Sequence, residues 1–346
     1  MRVLVTGGAG FIGSNFIRHL ISTHSDIDVV NVDKLTYSGN LENLADIAPS
    51  PSLGFVRADI ADSPAMAALL QREFDVIVNF AAETHVDRSI EDAAPFLWTN
   101  VVGTQVLLEA ARRANVPRFV QISTDEVYGS APAGQSFTEQ TPLDPRSPYS
   151  ASKASADLLV NAYVETFGSN AVILRCTNNY GPYQFPEKLI PLMIGNALEG
   201  KPLPVYGDGL QERDWLYVED YCRAIERVVL HTEVRGVLNV SSGSPQTNIS
   251  VVKAILQILG KPDSLIQHVT DRLGHDRRYA LESSKFRKEL KWKPDVSFAD
   301  GIQKTVAWYL NSSEWLARAR SGEYRGYYER HYLRRHETFA APAGRV

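Results

Sequence analysis

The chain of 346 residues has only two cysteines, Cys176 and Cys222, far apart in sequence. Two such thiols make neither a disulfide framework nor a zinc site, and they suit a reducing cytoplasm. No apolar run approaches the roughly 18 residues a membrane helix needs. A cleaved leader is not expected, because the first strand pattern starts at Arg2 and cleavage would remove part of the fold. Charge of one sign is also missing. The net charge is -4 with no basic arm, which excludes the electrostatic footprint of a nucleic-acid binder. There is no internal repeat and no low-complexity tract. His85 and Asp87 lack a third spaced ligand, so no metal site is expected. What remains is 44% apolar and 22% charged residues, the balance of an ordinary soluble protein about two domains long.

Short apolar runs recur: Val3-Leu4-Val5, Val29-Val30-Asn31-Val32, Phe55-Val56, Val76-Ile77-Val78, Phe119-Val120-Gln121-Ile122 and Ala171-Val172-Ile173-Leu174. Helical patterns lie between them, notably over 94–114 and 148–167. Strand and helix in alternation predict an α/β fold, a doubly wound parallel sheet of the Rossmann type. Polar residues recur just after each strand, at the carboxyl edge where such sheets bind ligands. After Arg175 the alternation fades, with helices expected over 189–199, 250–259, 284–290 and 300–310. This predicts a dinucleotide-binding domain over 1–175, to which some later segments return. A smaller mixed α/β substrate-binding domain covers 176–335, partly interleaved, and 336–346 form a frayed tail.

Thr6-Gly7-Gly8-Ala9-Gly10-Phe11-Ile12-Gly13-Ser14 fits two glycine registers, Gly8-Gly10-Gly13 and Gly7-Gly10-Gly13. In both, the backbone can turn tightly and approach a pyrophosphate at a helix N-terminus. Asp33 follows Gly13 by twenty residues, at the end of the next strand. A carboxylate there accepts from a ribose diol and disfavours a 2′-phosphate, which predicts NAD over NADP. The neighbouring cation Lys34 argues the other way. Asp59, also at a strand end, can read the adenine amine.

The chemistry concentrates in Ser123-Thr124-Asp125-Glu126 and in Tyr149-x-x-x-Lys153. Residues four apart share a helix face, and Ser147-Pro148 makes a helix start. Tyr149 therefore falls in the first turn, where Lys153 and the helix dipole favour the phenolate. A free tyrosine, with a pKa of about 10, is a poor base at neutral pH. Asp125 and Glu126 add a second proton-handling pair. Eliminating hydroxide near neutral pH needs a base and an acid together, and two close carboxyls separate their pKa values. Simple oxidation needs only the Tyr-Lys pair.

Four stretches, Ala81 to Ser89, Ser123 to Gly129, Asn178 to Pro191 and Gly274 to Tyr279, resemble the dTDP-glucose 4,6-dehydratases. These belong to the extended short-chain dehydrogenase/reductase superfamily, and the resemblance runs from Met1 to about Tyr332. It implies that Tyr149 takes the proton of the sugar 4-hydroxyl, assisted by Thr124 and Lys153. Glu126 then removes the carbon 5 proton and Asp125 protonates the departing 6-hydroxyl. It implies tightly held NAD on Gly7, Gly10, Phe11, Ile12, Gly13, Asp33, Lys34, Thr36, Asp59, Ile60, Ala81, Ala82, Thr99, Tyr149, Lys153 and Asn179. For the substrate, dTDP-glucose, it implies Thr84, Thr124 and Asn178 at the sugar. Arg213 and Arg272 would meet the diphosphate. Lys188, Leu189, Pro204, Tyr206, Asn248 and His275 would hold the nucleoside.

The apolar stripes of 94–114 and 149–167 match helices that in this family pair across a two-fold axis, which implies a homodimer through a four-helix bundle. The alternative activities are another sugar-nucleotide reaction, such as a UDP-sugar 4-epimerase, and a non-catalytic nucleotide sensor. An epimerase gives Asp125 and Glu126 no task, and a sensor has no need of Tyr149 and Lys153.

Overall fold

The structure, a computed structural model, describes residues 1–321, 323–328 and 330. The expected tail over 336–346 lies outside the described residues. The strands are β1 (Arg2–Thr6), β2 (Asp28–Asp33), β3 (Leu53–Arg57), β4 (Val76–Asn79), β5 (Arg118–Thr124), β6 (Ala171–Cys176), β7 (Asn178–Tyr180), β8 (Leu203–Tyr206), β9 (Glu212–Tyr217), β10 (Gly236–Val240), β11 (Pro245–Thr247) and β12 (Ile266–Val269). Seven form one sheet in the order β10-β6-β5-β4-β1-β2-β3. Every neighbouring pair in it is parallel. The chain order reverses between β1 and β4, the switch point at which sheets of this kind open a ligand crevice.

The strands are apolar along their length because both faces of the sheet are covered. Alternate residues point to opposite sides. Val3, Val5, Val78, Val120 and Val172 share one core with helices Phe11–Thr23 and Val218–Leu230. Leu4, Val30, Ile77, Phe119 and Ile173 share the other with Met66, Leu107 and Val160. A separate core gathers Tyr180, Met193, Val251, Ile302, Tyr309 and Trp315 beside two small sheets, β11-β9-β7 and β12-β8.

Two segments depart from the sequence expectation. The single helix foreseen over 94–114 is an α turn Ala94–Phe96, a π-helical stretch Leu97–Gly103 and an α-helix Thr104–Arg113. Its close neighbour is Ile60, whose Cδ1 would lie 2.7 Å from any Cβ on Gly103. The alternation also does not end at Arg175. Helix Val218–Leu230 packs on Phe11–Thr23, and β10 pairs with β6. Among the described residues, no helix is long and apolar enough to cross a membrane.

Arg118 fastens this return. It opens β5 and is wholly buried. Its guanidinium donates to Val228 O, His231 O, Thr232 O and Val234 O at 3.2, 3.4, 3.3 and 2.6 Å, and to Asn170 Oδ1 at 2.7 Å. It thus closes the carbonyl end of helix Val218–Leu230 and carries the connection to β10. Burial lowers its pKa to about 10, so it stays charged. Arg118→Met should destabilise the protein by about 3 kcal/mol, the scale of lost charge-assisted hydrogen bonds with buried carbonyls left open. Urea denaturation checks this: the midpoint falls while the slope holds.

Candidate active site

One cleft runs along the carboxyl edge of β1, β2, β4, β5 and β6. At its β1 end, Gly7 has φ +69°, and a Cβ there would meet Ala81 N at 2.7 Å. The turn delivers the chain to helix Phe11–Thr23. Its N-cap is Gly10, with no side-chain cap and no acid in the first turn. Uncapped N–H donors on a helix dipole facing a cleft fit a dinucleotide pyrophosphate. Asp33 is buried at the lip, accepting from Ala9 N at 2.9 Å and Leu35 N at 2.8 Å. Burial raises its pKa while these two bonds oppose the shift. Lys34 pairs with Asp59 at 2.6 Å. The cation that counted against NAD is therefore answered by a carboxylate.

Every residue assigned to the cofactor from the sequence lines this cleft, from Gly7 to Asn179, as do Thr84, Thr124, Asp125, Glu126, Asn178 and Lys188. Leu189, Pro204, Tyr206, Arg213, Asn248, Arg272 and His275 do not. Lys188 Nζ donates to Thr84 O at 2.8 Å. Tyr206 OH donates to Asp87 Oδ2 at 2.9 Å, and its ring meets the His275 ring edge-on. Arg213 donates to Asp276 O at 2.9 Å and lies over the Tyr279 ring. Pro204 is a β8 residue in register with Gln267, and Leu189 opens helix Leu189–Leu198. Asn178 Oδ1, Asn248 Oδ1 and Arg272 Nε are buried without hydrogen-bond partners among the described residues. Buried orphans of this kind suit a polar ligand.

The reacting groups meet at the ends of β5 and β6. Helix Pro148–Phe167 starts in a capping box, with Ser150 N on Ser147 Oγ at 3.0 Å and Ser147 N on Ser150 Oγ at 2.9 Å. It carries Tyr149 and Lys153 on one buried face. Lys153 Nζ donates to Ile122 O at 2.6 Å. The expected easing of Tyr149 ionisation is reversed here. Burial first, then the charge of Glu126, push the phenol well above its ordinary value, and only a hydrogen bond with Thr124 works the other way. The ring packs against Val86 and Phe96 with the charges of Glu126 and Asp125 acting on its hydroxyl, while the ammonium is engaged by a carbonyl.

Asp125 and Glu126 occupy one 3₁₀ turn but different fields. Burial and then Glu126 push Asp125 well above the usual carboxylate range. Its Oδ1 accepts from Thr124 Oγ1 at 3.2 Å, and its Oδ2 is buried with no partner among the described residues. Burial also raises Glu126, but Arg272, Arg213 and Lys188 all pull it down. One acid thus favours its proton and its neighbour is ringed by cations.

Sequence reasoning did not single out Glu83, Gln184, Phe185 or Glu187, which also line the cleft. Glu187 is buried, accepting from Tyr37 OH at 3.0 Å and Arg88 Nε at 3.2 Å. Its signal in the sequence is the Glu187-Lys188 pair that precedes helix Leu189–Leu198. Among the described residues, no three His, Cys, Asp or Glu side chains gather as metal ligands would.

The sequence profile of a family described as GDP-mannose 4,6 dehydratase matches residues 4–305. The chain is 50% identical to dTDP-glucose 4,6-dehydratase 1 of Escherichia coli (strain K12), over 96% of this chain and 99% of that one. It superposes on DesIV from Streptomyces venezuelae, a dTDP-glucose 4,6-dehydratase solved with NAD and TYD bound. The TM-score is 0.89 at 48% identity, covering 92% of this chain and 100% of that one. A UDP-glucose 4-epimerase from Thermus thermophilus, solved with NAD, gives a TM-score of 0.84 at 32% identity, over 90% and 100% of the two chains.

The raised pKa of Asp125 has a measurable sign. Above its ordinary value of 3.8 the native state holds a proton that the unfolded chain releases, so stability declines as pH rises through that window. Asp125→Asn removes this linkage. Thermal melts should show a flatter pH dependence above about pH 4 and about 1 kcal/mol more stability near neutral pH. A variant as pH-sensitive as the parent contradicts the assignment.

Proposed function

The chain belongs to the dTDP-glucose 4,6-dehydratase family, and from that premise we propose that it converts dTDP-glucose to dTDP-4-keto-6-deoxy-glucose with NAD regenerated each turnover. The observation that carries this reading is the unequal carboxyl pair at the end of β5. The two acids are adjacent and burial raises both, Asp125 well above the usual carboxylate range, while Arg272, Arg213 and Lys188 restrain the rise of Glu126.

NAD, when bound, accepts hydride from sugar carbon 4 and later returns it to carbon 6. Tyr149 takes the proton of the 4-hydroxyl. A phenol with a raised pKa is harder to ionise, but its anion takes a proton more strongly. Lys153, the cation one helical turn away, assists that ionisation, and Thr124 orients the phenol. The 4-ketone so formed acidifies the carbon 5 proton. Glu126, whose charged form Arg272, Arg213 and Lys188 favour against burial, removes it. Asp125, kept protonated by burial, gives its proton to the departing 6-hydroxyl, which leaves as water. Glu126 then returns a proton to carbon 5 as hydride reaches carbon 6. Arg213 and Arg272 meet the diphosphate, while Lys188, Leu189, Pro204, Tyr206, Asn248 and His275 hold the nucleoside. Thr84 and Asn178 contact the sugar. On the cofactor side, Asp33 receives the ribose hydroxyls, with Lys34 neutralised by Asp59. An epimerase has the same fold but no step for Asp125.

We further infer a division near Arg175 between a dinucleotide-binding part and a sugar-nucleotide-binding part. It is supported by the separate core around Met193 and by the return of residues 216–240 to the first core. The cytoplasm is the compartment that two free, buried thiols suit. A homodimer is supported by Leu97, Trp98, Leu158 and Phe167, which are 52, 54, 59 and 51% exposed on the two helical stretches named for the bundle. Large apolar side chains left outward on such helices fit a second copy of the chain.

Incubation with dTDP-glucose, UDP-glucose and GDP-mannose, with product masses measured, tests the activity. Loss of one water from dTDP-glucose is expected, and no loss from any of the three defeats the reading. Glu126→Gln should stall after oxidation with NADH absorbance visible, whereas Tyr149→Phe should give none; equal NADH in both would refute this division of labour. Sedimentation of Trp98→Asp/Leu158→Asp should shift the protein from dimer to monomer, and an unchanged dimer would place the interface elsewhere.

A further inference from the structure

The mechanism leaves one fully enclosed acid without a task. Asp157 lies one helical turn beyond Lys153 and two beyond Tyr149, so the three share a face of helix Pro148–Phe167. Its exposure is 0%. Oδ2 accepts from Arg175 Nε at 2.8 Å. Oδ1 is buried without a hydrogen-bond partner among the described residues, with the Ser123 hydroxyl near enough to ease the charge. Ile122, whose carbonyl holds Lys153 Nζ, pairs with Leu174 across β5 and β6, and Ser123 pairs with Arg175. Arg175 therefore reaches Asp157 directly, while Lys153, one helical turn before Asp157, holds its ammonium on the carbonyl of the adjoining rung. Arg175 is fixed from behind. Its Nη1 donates to Tyr128 OH at 2.8 Å, and Tyr128 OH donates to Asn239 Oδ1 at 2.9 Å.

We propose that Asp157 is the shared counter-ion of Lys153 and Arg175, a positioning residue that keeps the Lys153 ammonium charged and aimed at the catalytic edge. Two buried cations on neighbouring rungs would otherwise repel in a site that water does not screen. The one carboxylate that shares the helix face with Lys153 has one oxygen on Arg175 and the other beside the neutral Ser123 hydroxyl. The electrostatics agree with this geometry. Burial drives the Lys153 pKa down, and Asp157 is the largest influence opposing it. Arg175 and Lys153 in turn restrain the rise that burial gives Asp157.

The other groups facing this line do not replace Asp157. From β6 come Arg175 and Cys176, the thiol raised to about 12 by burial and so neutral. From the 3₁₀ turn come Asp125, Glu126 and Tyr128, with Glu126 facing Arg272, Arg213 and Lys188. The π stretch offers uncharged Thr99 and Asn100. At the helix start, Asp87 is bound by Tyr206 and Arg88 by Glu187. At its far end Glu109 is paired with Arg112 and Arg113.

The proposal rests on the dehydratase reading, so the parent protein is assayed first: water loss from dTDP-glucose tests that reading alone. Single-turnover NADH formation at saturating dTDP-glucose is then followed against pH. Lys153 must be charged, so activity falls as pH rises through its pKa. In Asp157→Asn that basic limb should move about one pH unit toward acid. In Arg175→Met, which frees Asp157 for Lys153, it should move toward alkali. KM for dTDP-glucose and retained NAD, weighed by mass spectrometry of the intact complex, should match the parent. Opposite displacements support the proposal. Equal loss at every pH, or displacement in one direction in both variants, overturns it. If Asp157→Asn does not fold, Arg175→Met decides alone, and an unmoved limb refutes the shared counter-ion.

Discussion

The exclusion of water from the ends of β5 and β6 is the constraint on which the rest of the site depends. Asp125, Lys153, Asp157 and Arg175 are all buried at this one place in the fold. In such a setting a charge survives only beside an opposite charge, and an acid without one keeps its proton. Protonation states are then set by placement. Lysine, arginine and aspartate are arranged along helix Pro148–Phe167 and β6, while the neighbouring turn holds one acid opposed by three cations and one by Arg213 alone. The parallel sheet makes this possible because all its strand ends with carboxyl polarity open on the same crevice.

The parts of the molecule governed by local rules were legible in the chain. Helix Pro148–Phe167 begins where Ser147 and Pro148 predict, because a helix start is set by adjacent residues, and the structure closes it with a left-handed Gly168. The glycine turn was legible for the same reason, since Gly7 fits where a side chain would strike Ala81. The buried strands announced themselves by continuous apolar runs.

What was not legible depends on partners far apart in sequence. Lys34 argued against NAD until Asp59 was found beside it. The division between Asp125 and Glu126 could not be read from two adjacent letters. It is written by Lys188 and Arg272, both downstream, which act on Glu126. Tyr149 was expected to ionise more easily, because its helix position was visible and its burial was not. The π stretch over Leu97–Gly103 replaces an apparently regular helix where Gly103 and Ile60 meet side by side. Glu187 was passed over because its partners Tyr37 and Arg88 come from two other parts of the chain.

The late arrival of β10 has a consequence for how the chain is made. The large sheet gains its seventh strand only when residues 236–240 have left the ribosome, and Arg118 has no helix end to close until Val228–Val234 exist. From the synthesis of Cys176 to that of Val240 the β6 edge waits unpaired, an open template for any other strand. A chain stopped at the apparent boundary near residue 175 would keep that edge bare permanently. The nascent protein is therefore exposed to misassociation in an interval that chain topology, rather than final stability, determines.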